Sequence, residues 1–334
     1  MPEIELLAST GVDWVDRALC GVIEIGHLIF PGRIRTCYVH GSYADGSASR
    51  ESDIDVGFIF RERILPGERD RIPSLRRALT RLCRIRIDLS ATDEACLHAG
   101  VPPSIRFALI MYGDPIPDQL PPRSIQQGVV AAMDTAFRYM RLARRVDGIL
   151  AYPLQYPDPH SEFFGYEKGV DAASQGSHPN TRALVNIVTM NATSLVAQLA
   201  GHQVPSKSRS ADAYQQHIGD GWSPYVQDVY RLCRTDWDYQ IPTDAAGRKL
   251  LQKLCAQALD FENDYLRRCK PGLLSLLRDD IDNVALQALS LLQKIRYPDP
   301  DIAAAVRALT DRARSDLRER AELWLSTQAA GPLT

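Results

Sequence analysis

Along this chain the spacing of apolar positions changes character near residue 123. Before that point the apolar runs are short. Val12, Val15, Leu19, Val22, Ile23 and Leu28 recur at helical spacing and predict a first helix over 12–29 that backs a sheet. The runs 34–39 and 54–60, each bounded by turn residues, predict buried strands. Leu75, Leu79 and Leu82 mark one side of a helix starting after Pro73, and IRIDLS at 85–90 reads as a third strand. A short helix and an edge element follow over 102–113. The segment DPIPDQLPPR at 114–123 then punctuates the chain as a boundary would. Beyond it the period stays at 3.6, with amphipathic stretches at 125–150, 181–200, 225–234, 245–266, 273–295 and 302–325. The pattern predicts an α+β protein: a mixed-sheet domain over 1–122 and an α-helical bundle over 123–334.

Residues 151–180 interrupt the helical half with a long connection. It holds Tyr152, Tyr156, Phe163, Phe164 and Tyr166 beside Asp158, Glu162, Glu167 and Lys168. Such a mixture suits a pocket for a polar or cationic small molecule, and equally a loop packed on its own aromatics.

Length supports the two-domain division, because 334 residues are more than one core of ordinary size needs. A net charge of −2 argues against a large nucleic-acid footprint. Residues 61–86 contain nine arginines, but Glu62, Glu68 and Asp70 interrupt them, so the stretch reads as a solvated helix face. No basic-then-apolar leader is seen and no stretch reads as a membrane span, so a cytoplasmic protein is expected. Seven cysteines without a Cys-x-x-Cys pair suit buried apolar positions in a reducing compartment.

The chemistry concentrates in CYVHGSYADGSASRESDIDVGFIF, residues 37–60. Gly41-Ser42 follows the first strand directly, where backbone N–H groups and a hydroxyl can wrap a phosphate. Asp53 and Asp55 stand two apart at the second strand, and the two-residue period points both to one face. Two carboxylates on one face repel unless a cation lies between them. Oxygen-only ligation of that kind suits Mg²⁺.

The order strand, Gly-Ser, polar spacer, Ser-Asp-x-Asp, strand resembles the signature of the DNA polymerase β-like nucleotidyltransferase superfamily. GSYADGSASRESDID is similar to the corresponding block of the aminoglycoside adenylyltransferases that act on streptomycin and spectinomycin. The resemblance implies a nucleotidyltransferase domain that uses two Mg²⁺ ions and ATP to place AMP on a small-molecule hydroxyl, in antibiotic resistance or specialised metabolism. By the same resemblance Asp53, Asp55 and Asp88 hold metal, and Asp88, on the third strand, also serves as general base, with Asp93 and Glu94 as fallbacks. Gly41, Ser42 and Ser52 bind nucleotide, as does Lys207, which matches a lysine that reaches the ATP phosphates. A phosphate-touching tyrosine of those enzymes could correspond to Tyr225 or Tyr230. The chain departs from the pattern where those enzymes carry carboxylates for the cationic acceptor: Asn180 and Leu184 stand there. A toxin-type enzyme modifying RNA or protein, and a non-catalytic nucleotide-binding scaffold, remain as alternatives.

Overall fold

A computed structural model of the protein describes residues 4–83, 85–146, 149–168 and 178–329. They cluster into two units: residues 1–124 with 204–209, and residues 125–203 with 210–334.

The first unit is built on a four-stranded mixed sheet of order β3-β2-β1-β4. Strands β1 (Ile34–His40) and β2 (Ile54–Phe60) are antiparallel, and β4 (Leu109–Gly113) pairs antiparallel with the other edge of β1. Strand β3 (Ile87–Asp93) lies parallel to β2 after the crossover helix α2 (Pro66–Cys83). One sheet face carries Cys37, Val39, Ile54, Val56, Phe58, Ile87 and Leu89. It packs on Val15, Leu19, Val22 and Ile23 of α1 (Asp13–Ile29) and on Leu75 and Leu79 of α2. The opposite face has a smaller apolar cluster, in which Tyr38 and Ile59 meet Leu97 of α3 (Glu94–His98), Val101 and Ile105 of α4 (Pro103–Arg106). Alternation thus leaves one end of this second face free for polar side chains.

Helix α2 begins at Pro66 and not after Pro73, which lies inside it. Glu68 explains the earlier start: it accepts from the Leu65 N–H at 2.8 Å, as a residue in the first turn does when it caps. Arg33 of the loop before β1 then pairs with the same carboxylate at 2.7 Å.

In the second unit α5 (Ile125–Arg144) ends early, where Arg145 turns to φ +53°. Helix α6 (Arg182–Ala200) passes the length and composition test for a membrane span, contrary to the expectation from sequence. Its apolar surface is taken up inside the unit, since thirteen of its nineteen residues are buried, and it packs against α5 and α9. Helix α7 (Ser210–His217) was not anticipated, because only eight residues carry it. Helix α8 (Ser223–Asp228) runs on as a π-helix, Val229–Asp236. The two helices expected over 245–266 and 273–295 are rearranged into α9 (Ala245–Leu277) and α10 (Asp282–Leu292). Helix α9 passes through Pro271 because buried Leu266 and Cys269 before it and Leu273, Leu276 and Leu277 after it keep one apolar face continuous. The stretch expected as 302–325 is divided into α11 (Pro300–Leu309) and α12 (Ser315–Ala329).

The described part of the long connection packs on α9. Leu150–Ala151 forms β5, paired in parallel with β6 (Ile295–Arg296). Tyr156 and Phe164 stack at 4.5 Å, while Phe163 and Tyr166 are buried. Glu162 pairs with Arg248, and Asp158 with Lys168. Of the two expectations for this segment, the packed loop describes residues 151–168. Residues 169–177 lie outside the described residues.

Tyr166 also donates to Glu262 Oε2 at 2.5 Å, and Arg144 meets the same carboxylate in a bidentate pair at 2.8 and 2.9 Å. Glu262 has no exposed surface. Replacing it with alanine leaves the Arg144 guanidinium buried without its partner, at an expected cost of about 3–5 kcal/mol in urea denaturation, whereas an apolar replacement of both partners together costs much less.

Candidate nucleotidyltransfer site

Strand register brings two of the predicted acids, Asp55 and Asp88, side by side. His40 of β1 lies opposite Asp55 of β2, and Asp55 lies beside Asp88 of β3. In-register neighbours share a face, so His40, Asp55 and Asp88 form a row across three strands. Asp53 stands two residues before Asp55 and shares its side. The next row is Tyr38, Gly57 and Ser90. There a Cβ on Gly57 would lie 1.9 Å from the Tyr38 ring, so the ring fits only over a glycine.

Gly41 closes the row from above. It opens the turn Gly41–Tyr43 at φ +69°, and a Cβ on it would stand 2.2 Å from Asp55 Oδ2. Both the dihedral and the close approach require glycine. Ser42 follows it in that turn. Ser52 is 4% exposed and accepts from the Ser49 N–H at 2.9 Å.

Asp55 bears the strain of this arrangement. Burial, with the neighbouring charges of Asp53 and Asp88, pushes its carboxyl up to about 7, against the opposing pull of Lys207 and Arg86. Asp53 meets Arg86 Nε at 3.5 Å, and Asp88 accepts from Arg76 Nη1 at 3.2 Å. Burial holds the His40 imidazole below its ordinary value although Asp88 and Asp53 favour its charge. His40 was not among the sequence candidates. The only signal for it was its position directly before Gly41-Ser42.

Lys207 belongs to the segment Val204–Arg209, which groups with the first unit although it lies between α6 and α7 in sequence. Ser208 Oγ anchors this segment on Asp45 Oδ2 at 2.5 Å. Asp45 also accepts from the Ser47 N–H and hydroxyl, at 3.0 and 2.6 Å. Burial works against the charge on Asp45, but the hydroxyls of Ser208, Ser47 and Ser206 outweigh it and hold the carboxyl below its usual value.

The other candidates are occupied elsewhere. Asp93 caps α3, accepting from the N–H groups of Cys96 and Ile64, and Glu94 pairs with Arg35 at 2.7 Å. Tyr225 is buried and donates to the Leu254 carbonyl. Asn180 bonds the His178 carbonyl and the Arg182 N–H, and Leu184 is fully buried.

Residues 29–98 match the family model described as Polymerase beta, Nucleotidyltransferase. The match runs from the end of α1 to the end of α3 and contains Gly41, Ser42, Asp53, Asp55 and Asp88. Strands β1, β2 and β3 lie inside the matched residues, and the mixed sheet they form with β4 is consistent with a nucleotidyltransferase fold. No curated protein matches the chain significantly.

Nucleotidyltransferases of this family generally use a divalent metal and a nucleoside triphosphate. Among the described residues no group of three His, Cys, Asp or Glu side chains is close enough to hold a metal unaided. Asp53 and Asp55 nevertheless fit one. Magnesium commonly takes one or two protein carboxylates and completes its shell with water and substrate phosphates, and the raised Asp55 is a carboxyl whose charge wants a cation.

Two predictions follow from Asp55 and Gly41. The folded chain keeps the Asp55 proton to about pH 7, while an unfolded aspartate loses it near pH 4. The native state thus binds more protons in that window, and stability of the metal-free protein falls as pH rises through it. Asp55→Asn should raise the melting temperature at pH 8 by at least about 2 °C and flatten this pH dependence. Gly41→Ala should destabilise by about 1–2 kcal/mol from the left-handed backbone alone, with the Asp55 clash added, as read by thermal melting.

Proposed function

We propose that this protein is a Mg²⁺-dependent enzyme that transfers AMP from ATP to a hydroxyl of a small molecule, in the manner of the aminoglycoside adenylyltransferases that its 41–55 block resembles. The observation that carries the proposal is the register of Asp55 with Asp88, beside a glycine turn that admits no Cβ, within a matched nucleotidyltransferase domain.

Each residue has a part. The turn at Gly41 and Ser42 offers backbone N–H groups and a hydroxyl to the phosphates. Asp53 and Asp55 would hold the metal, with Asp88 joining them. Bound Mg²⁺ would neutralise triphosphate charge and stabilise both the attacking and the departing oxygen. Asp88, half exposed at the sheet edge, would take the proton of the acceptor hydroxyl. Lys207, in the segment that Ser208 anchors on Asp45, would add a positive charge for the phosphates.

The acceptor we propose is a hydroxylated molecule without strong positive charge. Leucine and an engaged asparagine stand where the streptomycin enzymes carry carboxylates. Glu162 and Asp158 of the long connection, which could have substituted for them, are paired with Arg248 and Lys168.

The test combines the protein, Mg²⁺ and α-labelled ATP with a panel of aminoglycosides, nucleosides and sugars, reading pyrophosphate release and label transfer. Turnover with a neutral polyol or nucleoside is expected, and Asp55→Asn should lower it at least about 100-fold. Absence of turnover with every acceptor, together with absence of Mg-ATP binding, rejects the proposal.

A further inference from the structure

The arginine-rich stretch 61–86 reads as a solvated face in sequence, yet two of its members meet the acidic row. Arg76 projects from α2 to Asp88 Oδ1 at 3.2 Å, and Arg86, just before β3, reaches Asp53 Oδ2 at 3.5 Å. The favourable pull of Lys207 and Arg86 on Asp55 is already present. Two of the three carboxylates are therefore met by arginines of the chain itself. The Arg76–Asp88 pair is about half exposed on both sides, at 49% and 50%, and Arg86 is 41% exposed. Exposed pairs of this kind hold weakly and exchange partners readily.

A divalent cation at Asp53 and Asp55 competes with Arg86 for the same oxygens, and one that also engages Asp88 displaces Arg76. The displaced guanidinium groups stay tethered beside the site. Their planar forks match phosphate oxygens in a two-point fashion, and a triphosphate arriving with the metal supplies such oxygens.

We infer that Arg76 and Arg86 are exchangeable counter-ions: they neutralise Asp88 and Asp53 when no divalent cation is bound, and pair with the triphosphate when one is. This rests on the nucleotidyl-transfer proposal and adds phosphate-binding residues to it.

The two roles pull affinities in opposite directions, which makes the test specific. Arg76→Met and Arg86→Met remove the charge and keep the aliphatic stem. Mn²⁺ binding to nucleotide-free protein, followed by electron paramagnetic resonance, should tighten by about fivefold in each variant. Binding of a non-hydrolysable ATP analogue with Mg²⁺, followed by calorimetry, should weaken by about tenfold. Arg→Lys at either position should restore the first value more fully than the second, because an ammonium keeps the charge and loses the fork. Melting temperatures report that the variants fold. Tighter metal with unchanged nucleotide affinity, or no change in either, overturns the inference while leaving the proposed function standing. Wild-type protein that takes up neither Mn²⁺ nor nucleotide overturns both.

Discussion

The first unit is organised by a repulsion. Asp55 is set into the sheet with Asp53 and Asp88 around it, and the Gly41 turn presses on its carboxylate so closely that no side chain could be accommodated. Nothing in the apolar core requires this. The opposite face of the same strands, with Cys37, Val39, Val56 and Leu89, would pack equally well over a neutral row. A fold that keeps Asp55 and Asp88 in register, with Asp53 two residues away, against their own charge maintains a local conflict, and such conflicts concentrate where ions or substrates bind.

The surroundings are arranged in answer to that conflict. Arg33 and Glu68 fix where α2 starts, and α2 in turn delivers Arg76 to Asp88. Asp45, held ionised by serine hydroxyls, draws in the 204–209 segment and with it Lys207. None of these cations is deeply buried against its acid, so each can give way to a stronger competitor. The acidic row is in that sense compensated without being saturated.

The helical unit treats charge in the opposite way. Glu262, fully buried, is met by both arms of Arg144 and by the Tyr166 hydroxyl, and no lone pair faces water. A buried carboxylate saturated in this way ties α5, α9 and the long connection into one piece and offers nothing to a ligand. The same connection uses its aromatics for packing, with Tyr156 on Phe164 and Phe163 beneath Arg248. Its composition suited a pocket as well as a packed loop because stacking and cation–π contact serve both. Only the location of α9 decides between them.

Local signals in the chain were enough for β1, β2 and the shared face of Asp53 and Asp55, because two-residue alternation, a glycine after a strand and an Asp-x-Asp pair act over a few residues. Pro66 and Pro271 show the limit. A proline can start a helix or lie within one, and burial on both sides, which no short window contains, determines which. The sequence by itself determined that a mixed-sheet domain precedes a helical one and that Asp53 and Asp55 share a face. The tertiary structure alone decided that Asp88 lies in register with Asp55, that His40 completes the row, and that Arg76, Arg86 and Lys207 come from three separate segments to balance it. Pairing between strands and the return of a distant segment join residues far apart in the chain, and periodicity carries no information about such meetings.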